Sequence, residues 1–144
     1  MPGLYLDSSA LAKLYVPEAE SAEVGRWVQA QRESIPFSLL HELELTSALT
    51  RRRLEGEISQ TAVARIARMI ESDLQTGVLK RPALEWNVVF GLAVGLVRRH
   101  GSAGLRSLDS MHLACALQLR SRILITFDEK QRRAGLKEGL QVLP

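Results

Sequence analysis

Two kinds of apolar pattern alternate along the chain: short continuous runs, and longer stretches repeating every three to four residues. The run "GLYL" reads as a buried strand ending at Asp7, and "SALAKLYV" continues as a helix that Pro17 stops. From Glu18, "EAESAEVGRWVQAQ" has amphipathic helical spacing with acids in its first turn. "SIPFS" is extended, its proline marking a strand start or edge. Leu39–Leu54 reads as a long helix broken at Gly56; Ser59 then caps "TAVARIARMIESDLQT", which ends near Gly77. "GVLKRP" is a brief strand, Ala83–His100 a helix, and Gly101–Gly104 a loop. Ser107 begins "LDSMHLACALQLR", a further helix, and "RILITF" is the clearest strand of the chain. A short helix from Asp128 and a final strand "LQVL" complete the pattern.

Strands alternating with helices predict an α/β fold around a mainly parallel sheet. The 144 residues show no repeat, linker or low-complexity segment, so one domain over 1–144 is expected. No apolar run approaches the roughly 20 residues of a membrane span. The longest, "WNVVFGLAVGLV" from Trp86 to Val97, is read as a buried helix. The N-terminus lacks the basic start and apolar core of a secretion signal. Cys115 is the single cysteine, which excludes an intrachain disulfide and a cysteine-rich zinc site and suggests a reducing, cytoplasmic setting. The net charge of +3 leans only slightly toward an anionic partner. Its basic residues cluster at Arg51-Arg52-Arg53, Arg98-Arg99-His100 and Arg132-Arg133, where solvated helix ends are the ordinary reading.

The candidate chemistry lies with the acids. In parallel sheets, ligands gather at the carboxyl ends of strands. Asp7 and Asp128 directly follow strands, and Asp109 falls in the first turn of the helix leading into the second of these. Each has an ordinary alternative. Asp7 or Ser8 suits an N-cap, Asp128 with Gln131 matches a capping box, and Asp109 favours a helix dipole. Acids converging on one edge would repel one another unless a cation lay between them, and an all-oxygen donor set suits Mg²⁺ or Mn²⁺. A fourth acid comes from "LLHELELTSALTRRR". Glu42 and Glu44 point about 200° apart on a helix, and small Ser47 and Ala48 one turn on slightly favour Glu44.

Four segments, "LYLDSSALAKLYVPE", "HELELTSALTRRR", "LRSLDSMHLACALQL" and "ILITFDEKQRRAG", together resemble the PIN-domain ribonucleases, and among them the VapC toxins of toxin–antitoxin pairs. The resemblance implies a three-layer α/β/α sandwich and an endoribonuclease dependent on Mg²⁺ or Mn²⁺. It places the acids at Asp7, Glu44 (in "ELTSAL"), Asp109 (in "LDxxHLA") and Asp128 (in "TxD"), as metal ligands or, for Glu44, general base. Ser9 and Thr126 become supporting hydroxyls. An RNA substrate, a VapB-like antitoxin and a homodimer follow as expected partners, with exposed leucines between Glu18 and Gln75 as interface candidates.

RNA held near an acidic centre needs a basic surround, for which Lys13, Arg51, Arg52 and Arg132 are candidates. His112, one turn after Asp109, reads as a packing or hydrogen-bonding residue; Cys115, Tyr15, Trp27 and Trp86 read as core or interface. A haloacid-dehalogenase-type phosphatase would require an acid at position 9, where Ser9 stands, and no early acidic pair of a receiver domain is present. A PIN-like module that binds RNA or protein without catalysis is the alternative; loss of one or more acids would be its sign.

Overall fold

The computed structural model describes residues 3–144; Met1 and Pro2, part of the single-domain reading, lie outside the described residues. Three strands form one parallel ladder, β1 (Leu4–Leu6), β4 (Ile123–Ile125) and β5 (Gln141–Leu143), in the order β1-β4-β5. Two more, β2 (Ile35–Pro36) and β3 (Leu79–Lys80), pair in parallel beside β1. The predicted sheet is therefore parallel at each pairing but split into two ladders. Proline lacks an N–H, and at Pro36 it leaves β2 short.

β1 is buried at all three positions, as expected of a strand covered on both faces. Leu4 and Leu6 pack with α1 (Ser8–Ala12), α2 (Ser21–Gln29), α3 (Leu39–Leu54) and α4 (Gln60–Thr76). Tyr5 points the other way, into a core shared with α5 (Trp86–His100), α6 (Ser107–Gln118) and α7 (Glu129–Lys137). Leu124 and Val142 face that second core, while Ile125 faces the first. These opposed faces make the three layers. α7 approaches the sheet closely at Gly135, where a Cβ would meet Leu124 and Val142 at 3.1 and 3.2 Å.

Local signals place most helix boundaries. Ser38 caps α3, accepting from the His41 N–H, and Ser59 caps α4, accepting from the Ala62 N–H. Gly77 (φ 84°) ends α4 in the left-handed conformation that suits glycine. Three helices differ from expectation. α1 stops at Ala12 and continues as turns, α2 begins at Ser21 with Glu18 and Glu20 ion-paired to Lys13 ahead of it, and α5 begins at Trp86 rather than Ala83. The stretch Trp86–Val97 is helical but covered on one side only. Val89, Ala93 and Leu96 are buried against α6, whereas Val88, Phe90, Val94 and Val97 are exposed.

Candidate active site

Asp7 ends β1 and caps α1, so both readings of this residue hold at once. Its Oδ1 accepts from the Ala10 N–H at 2.8 Å, and its Oδ2 from the Thr126 hydroxyl at 2.8 Å. The main-chain ladder reaches it too, the Asp7 N–H donating to Ile125 O at 3.1 Å. Thr126 in turn accepts from the Asp128 N–H at 3.2 Å, linking the ends of β1 and β4. Asp128 caps α7 by accepting from the Gln131 N–H at 2.8 Å. The reciprocal half of that capping box is not formed: the Gln131 side chain instead donates to Asp109 O at 3.0 Å. Asp109, in the first turn of α6, accepts from the Arg106 N–H at 3.3 Å through Oδ2.

Glu44 arrives from α3. Its Oε1 accepts from the Ser8 hydroxyl at 2.8 Å and lies in hydrogen-bond contact with His112 Nε2. Glu42 points away and pairs with Arg81 at 2.8 Å. Ser8 and the expected Ser9 both line the groove beside Glu44, and Ser8 is the one that bonds to its carboxylate. Ser8 faces α3, whereas Ser9, about 100° further around α1, is exposed and makes no hydrogen bond to the acids among the described residues.

The four acids thus sit at one edge, and their charges act on one another. Burial raises Asp7 above the usual carboxylate range, and the Asp109 charge adds to this; the Ala10 N–H, His112 and Thr126 offset it in part. Burial also raises Asp109, helped by the charges of Asp128 and Glu44 against the Arg106 N–H. Burial pushes Glu44 upward as well, but His112 and the Ser8 hydroxyl outweigh it and hold the carboxyl below its ordinary value.

Among the described residues, no three His, Cys, Asp or Glu side chains are already drawn together as a metal cage. Each carboxylate is turned toward protein hydrogen-bond donors. The donor chemistry nonetheless fits a hard cation: Glu44 Oε2, Asp109 Oδ1 and Asp128 Oδ2 accept no hydrogen bond from the described residues. The part of these rises that comes from neighbouring acids, Asp109 on Asp7 and Asp128 and Glu44 on Asp109, is what a divalent ion would relieve.

A groove of about 780 Å³ runs from Ser8 and Glu44 along α1 and α3 to Arg51 and Arg52, with Leu43 and Leu108 on its rim. Three of the four expected basic contacts are engaged elsewhere. Lys13 pairs with Glu18 (2.7 Å) and Glu20 (2.9 Å), and Arg52 with Glu18 (2.6 Å). Arg132 donates to Pro144 O at 3.2 Å. Arg51 is exposed and has no ion pair among the described residues.

His41 was given no role by sequence reasoning. Its Nδ1 accepts from the Ser38 N–H (3.0 Å), completing a capping box on α3, and its Nε2 donates to Leu6 O (2.7 Å), just before Asp7. Burial, with His112 nearby, lowers His41 to about 3, so the ring is neutral. It locks the Glu44 helix onto the Asp7 strand. The available signal was histidine three residues after Ser38, a position where glutamate or glutamine commonly completes the box.

The family model described as "PIN domain" matches residues 4–137. The chain belongs to the PIN-domain family. Ribonuclease VapC47 of Mycobacterium tuberculosis is 31% identical to this PIN domain over 132 residues, covering 88% of this chain and 85% of that protein. Ribonuclease VapC46 of the same species is 30% identical over 145 residues, covering 99% and 98%. These relatives place the PIN domain with the VapC ribonucleases. Solved structures share its fold. Mycobacterium tuberculosis VapC20, described as a Sarcin-Ricin loop cleaving toxin, superposes with a TM-score of 0.68 at 19% identity, covering 92% of this chain and 95% of its own. A toxin–antitoxin complex from Klebsiella pneumoniae gives 0.65 at 19%, covering 98% and 96%. FitAcB from Neisseria gonorrhoeae gives 0.61 at 16%, covering 98% and 96%.

Proposed function

We propose that this protein, acting as one PIN domain, is a divalent-cation-dependent endoribonuclease and the toxin of a toxin–antitoxin pair. One observation carries the reading. Asp7, Glu44, Asp109 and Asp128 converge from four separate segments, and no lysine or arginine side chain pairs with them among the described residues. A protein that gathers acids without compensating cations spends stability on a site. Divalent metal is the general requirement of PIN-domain nucleases, and Mg²⁺ or Mn²⁺ suits this oxygen set.

Asp7, Asp109 and Asp128 would hold the cation, and Glu44 would either share it through Oε2 or accept a proton from water. When bound, the ion activates water and offsets charge on the phosphate. Thr126 donates its hydroxyl to the Asp7 carboxylate and accepts from the Asp128 N–H, while the Gln131 N–H holds the Asp128 carboxylate. Arg51, at the far end of the groove, contacts an RNA phosphate.

The antitoxin reading draws on the VapC relatives and on the structural neighbours described as toxin–antitoxin complexes. A homodimer suits the outer face of α5, where Val88, Phe90, Val94 and Val97 expose an apolar surface that a helix ordinarily covers. Sedimentation is expected to show a dimer that Val94→Glu dissociates; a monomeric wild type removes this part of the proposal. A cytoplasmic setting fits the lone buried Cys115, and among the described residues no helix is long and apolar enough to cross a membrane.

The test is purified protein with total RNA, with Mg²⁺ or Mn²⁺ and with chelator. Cleavage confined to the metal-containing tubes is expected. Equal cleavage in all of them would overturn the metal-dependent reading.

A further inference from the structure

We propose that Tyr5 and His112 are positioning residues which tether one oxygen of Glu44 and thereby turn the other toward the cation. This rests on the reading of Glu44 as part of the cation site.

Little on its own helix restrains Glu44. Ser47 and Ala48, one turn on, are too small to hold a long, half-exposed side chain in one rotamer. The restraint comes from two other elements. His112 of α6 is 3% exposed, and its Nε2 meets Glu44 Oε1 and lies 3.0 Å from Ser8 Oγ. Its Nδ1 lies 2.8 Å from the hydroxyl of Tyr5, which is fully buried on β1.

The donors then fall into one order. With the Tyr5 hydroxyl donating to Nδ1, Nε2 is the imidazole nitrogen that carries hydrogen toward Glu44. Oε1 receives both His112 and Ser8, while Oε2 receives no described donor.

The imidazole is itself braced. The His41 ring lies 5.0 Å from it and 5.1 Å from the Tyr5 ring, and His41 is pinned at both nitrogens. The line Tyr5–His112–Glu44 therefore transmits the position of β1 to a carboxylate on α3. A hydroxyl with no exposure to solvent or substrate thus governs how an acid meets its ion.

The experiment measures Mn²⁺ binding to the RNA-free full chain by calorimetry, together with kcat, KM and the unfolding midpoint. Tyr5→Phe removes one hydroxyl and keeps the ring. His112→Leu is expected to weaken Mn²⁺ binding by about tenfold or more, the scale on which partners of metal ligands act. Tyr5→Phe weakens it less, lowering kcat with little change in KM. His112→Gln, whose amide can donate to Glu44, restores part of the loss. A midpoint that falls while Mn²⁺ affinity stays at the wild-type value in Tyr5→Phe and His112→Leu means these residues only pack, and overturns the tether. Should His112→Leu fail to fold, Tyr5→Phe and His112→Gln decide the matter by the same readout. Glu44→Gln separates the two levels. If it binds Mn²⁺ like the wild type, the assignment of Glu44 fails; if it alone weakens binding, the assignment stands and the tether falls.

Discussion

Glu18 and Glu44 line the same groove, yet they are treated in opposite ways. Both oxygens of Glu18 meet cations, Arg52 at 2.6 Å and Lys13 at 2.7 Å. Burial pushes Glu18 upward, but Lys13 and Arg52 outweigh it and leave it below its ordinary range. Glu44 is also held below its ordinary value, by His112 and Ser8, but through one oxygen only, and its acidic neighbours Asp7 and Asp109 are raised. One cluster neutralises itself and has little left to bind. The other concentrates unpaired charge, which costs stability and creates demand for a cation. The difference separates a structural charge cluster from a functional one more clearly than the number of acids does.

The largest expected effect comes from Asp7→Asn. Asparagine caps a helix as well as aspartate does, so the unfolding midpoint should not fall. RNA cleavage should drop by about a hundredfold or more, the scale of lost electrostatic stabilisation at a reacting phosphate. Midpoint and rate falling together would place Asp7 with the structural cluster instead.

A smaller effect distinguishes two adjacent arginines. Arg51→Glu should raise KM and reduce the log–log salt slope of RNA binding by about one unit, as loss of a phosphate contact does. Arg52→Glu should act mainly on stability, since its guanidinium is committed to Glu18. Salt titration of RNA binding for both variants is the measurement.

The smallest effect is Glu18→Gln, which removes two partly buried pairs and should cost about 1 kcal/mol at neutral pH. A carboxyl lowered in the folded state contributes stability above its unfolded value near 4.5 and loses it as the pH falls through the folded value. Wild type and variant should therefore unfold at different temperatures at pH 7 and converge in acid, with Mn²⁺ binding the same in both.

Much of this arrangement was legible because its signals are local. Apolar runs ending in an acid located Asp7 and Asp128, and Ser38 and Ser59 stand where helices begin. The spacing also favoured Glu44 over Glu42, and Glu44 is the one that meets His112. What escaped is non-local or depends on phase. Glu18 and Arg52 are 34 positions apart, and no pattern in one segment reports that the other neutralises it. His41 bonds to Leu6 across 35 positions. Ser8 and Ser9 differ only by one step around a five-residue helix, too short for periodicity to fix its phase. The exposed side of α5 was read as buried because "VVFGLAVGLV" is apolar on every face. Composition records that a surface wants cover, not whether its own chain supplies it.

Strands β1 and β4 are aligned Leu4 to Ile123, Tyr5 to Leu124 and Leu6 to Ile125. A single inserted codon within this short strand would invert the facing of every side chain before the insertion relative to those after it. The phenolic group would then leave the imidazole, or the carboxylate would lose its threonine. The first strand can accept many exchanges of one aliphatic residue for another, but it has no freedom to grow or shrink.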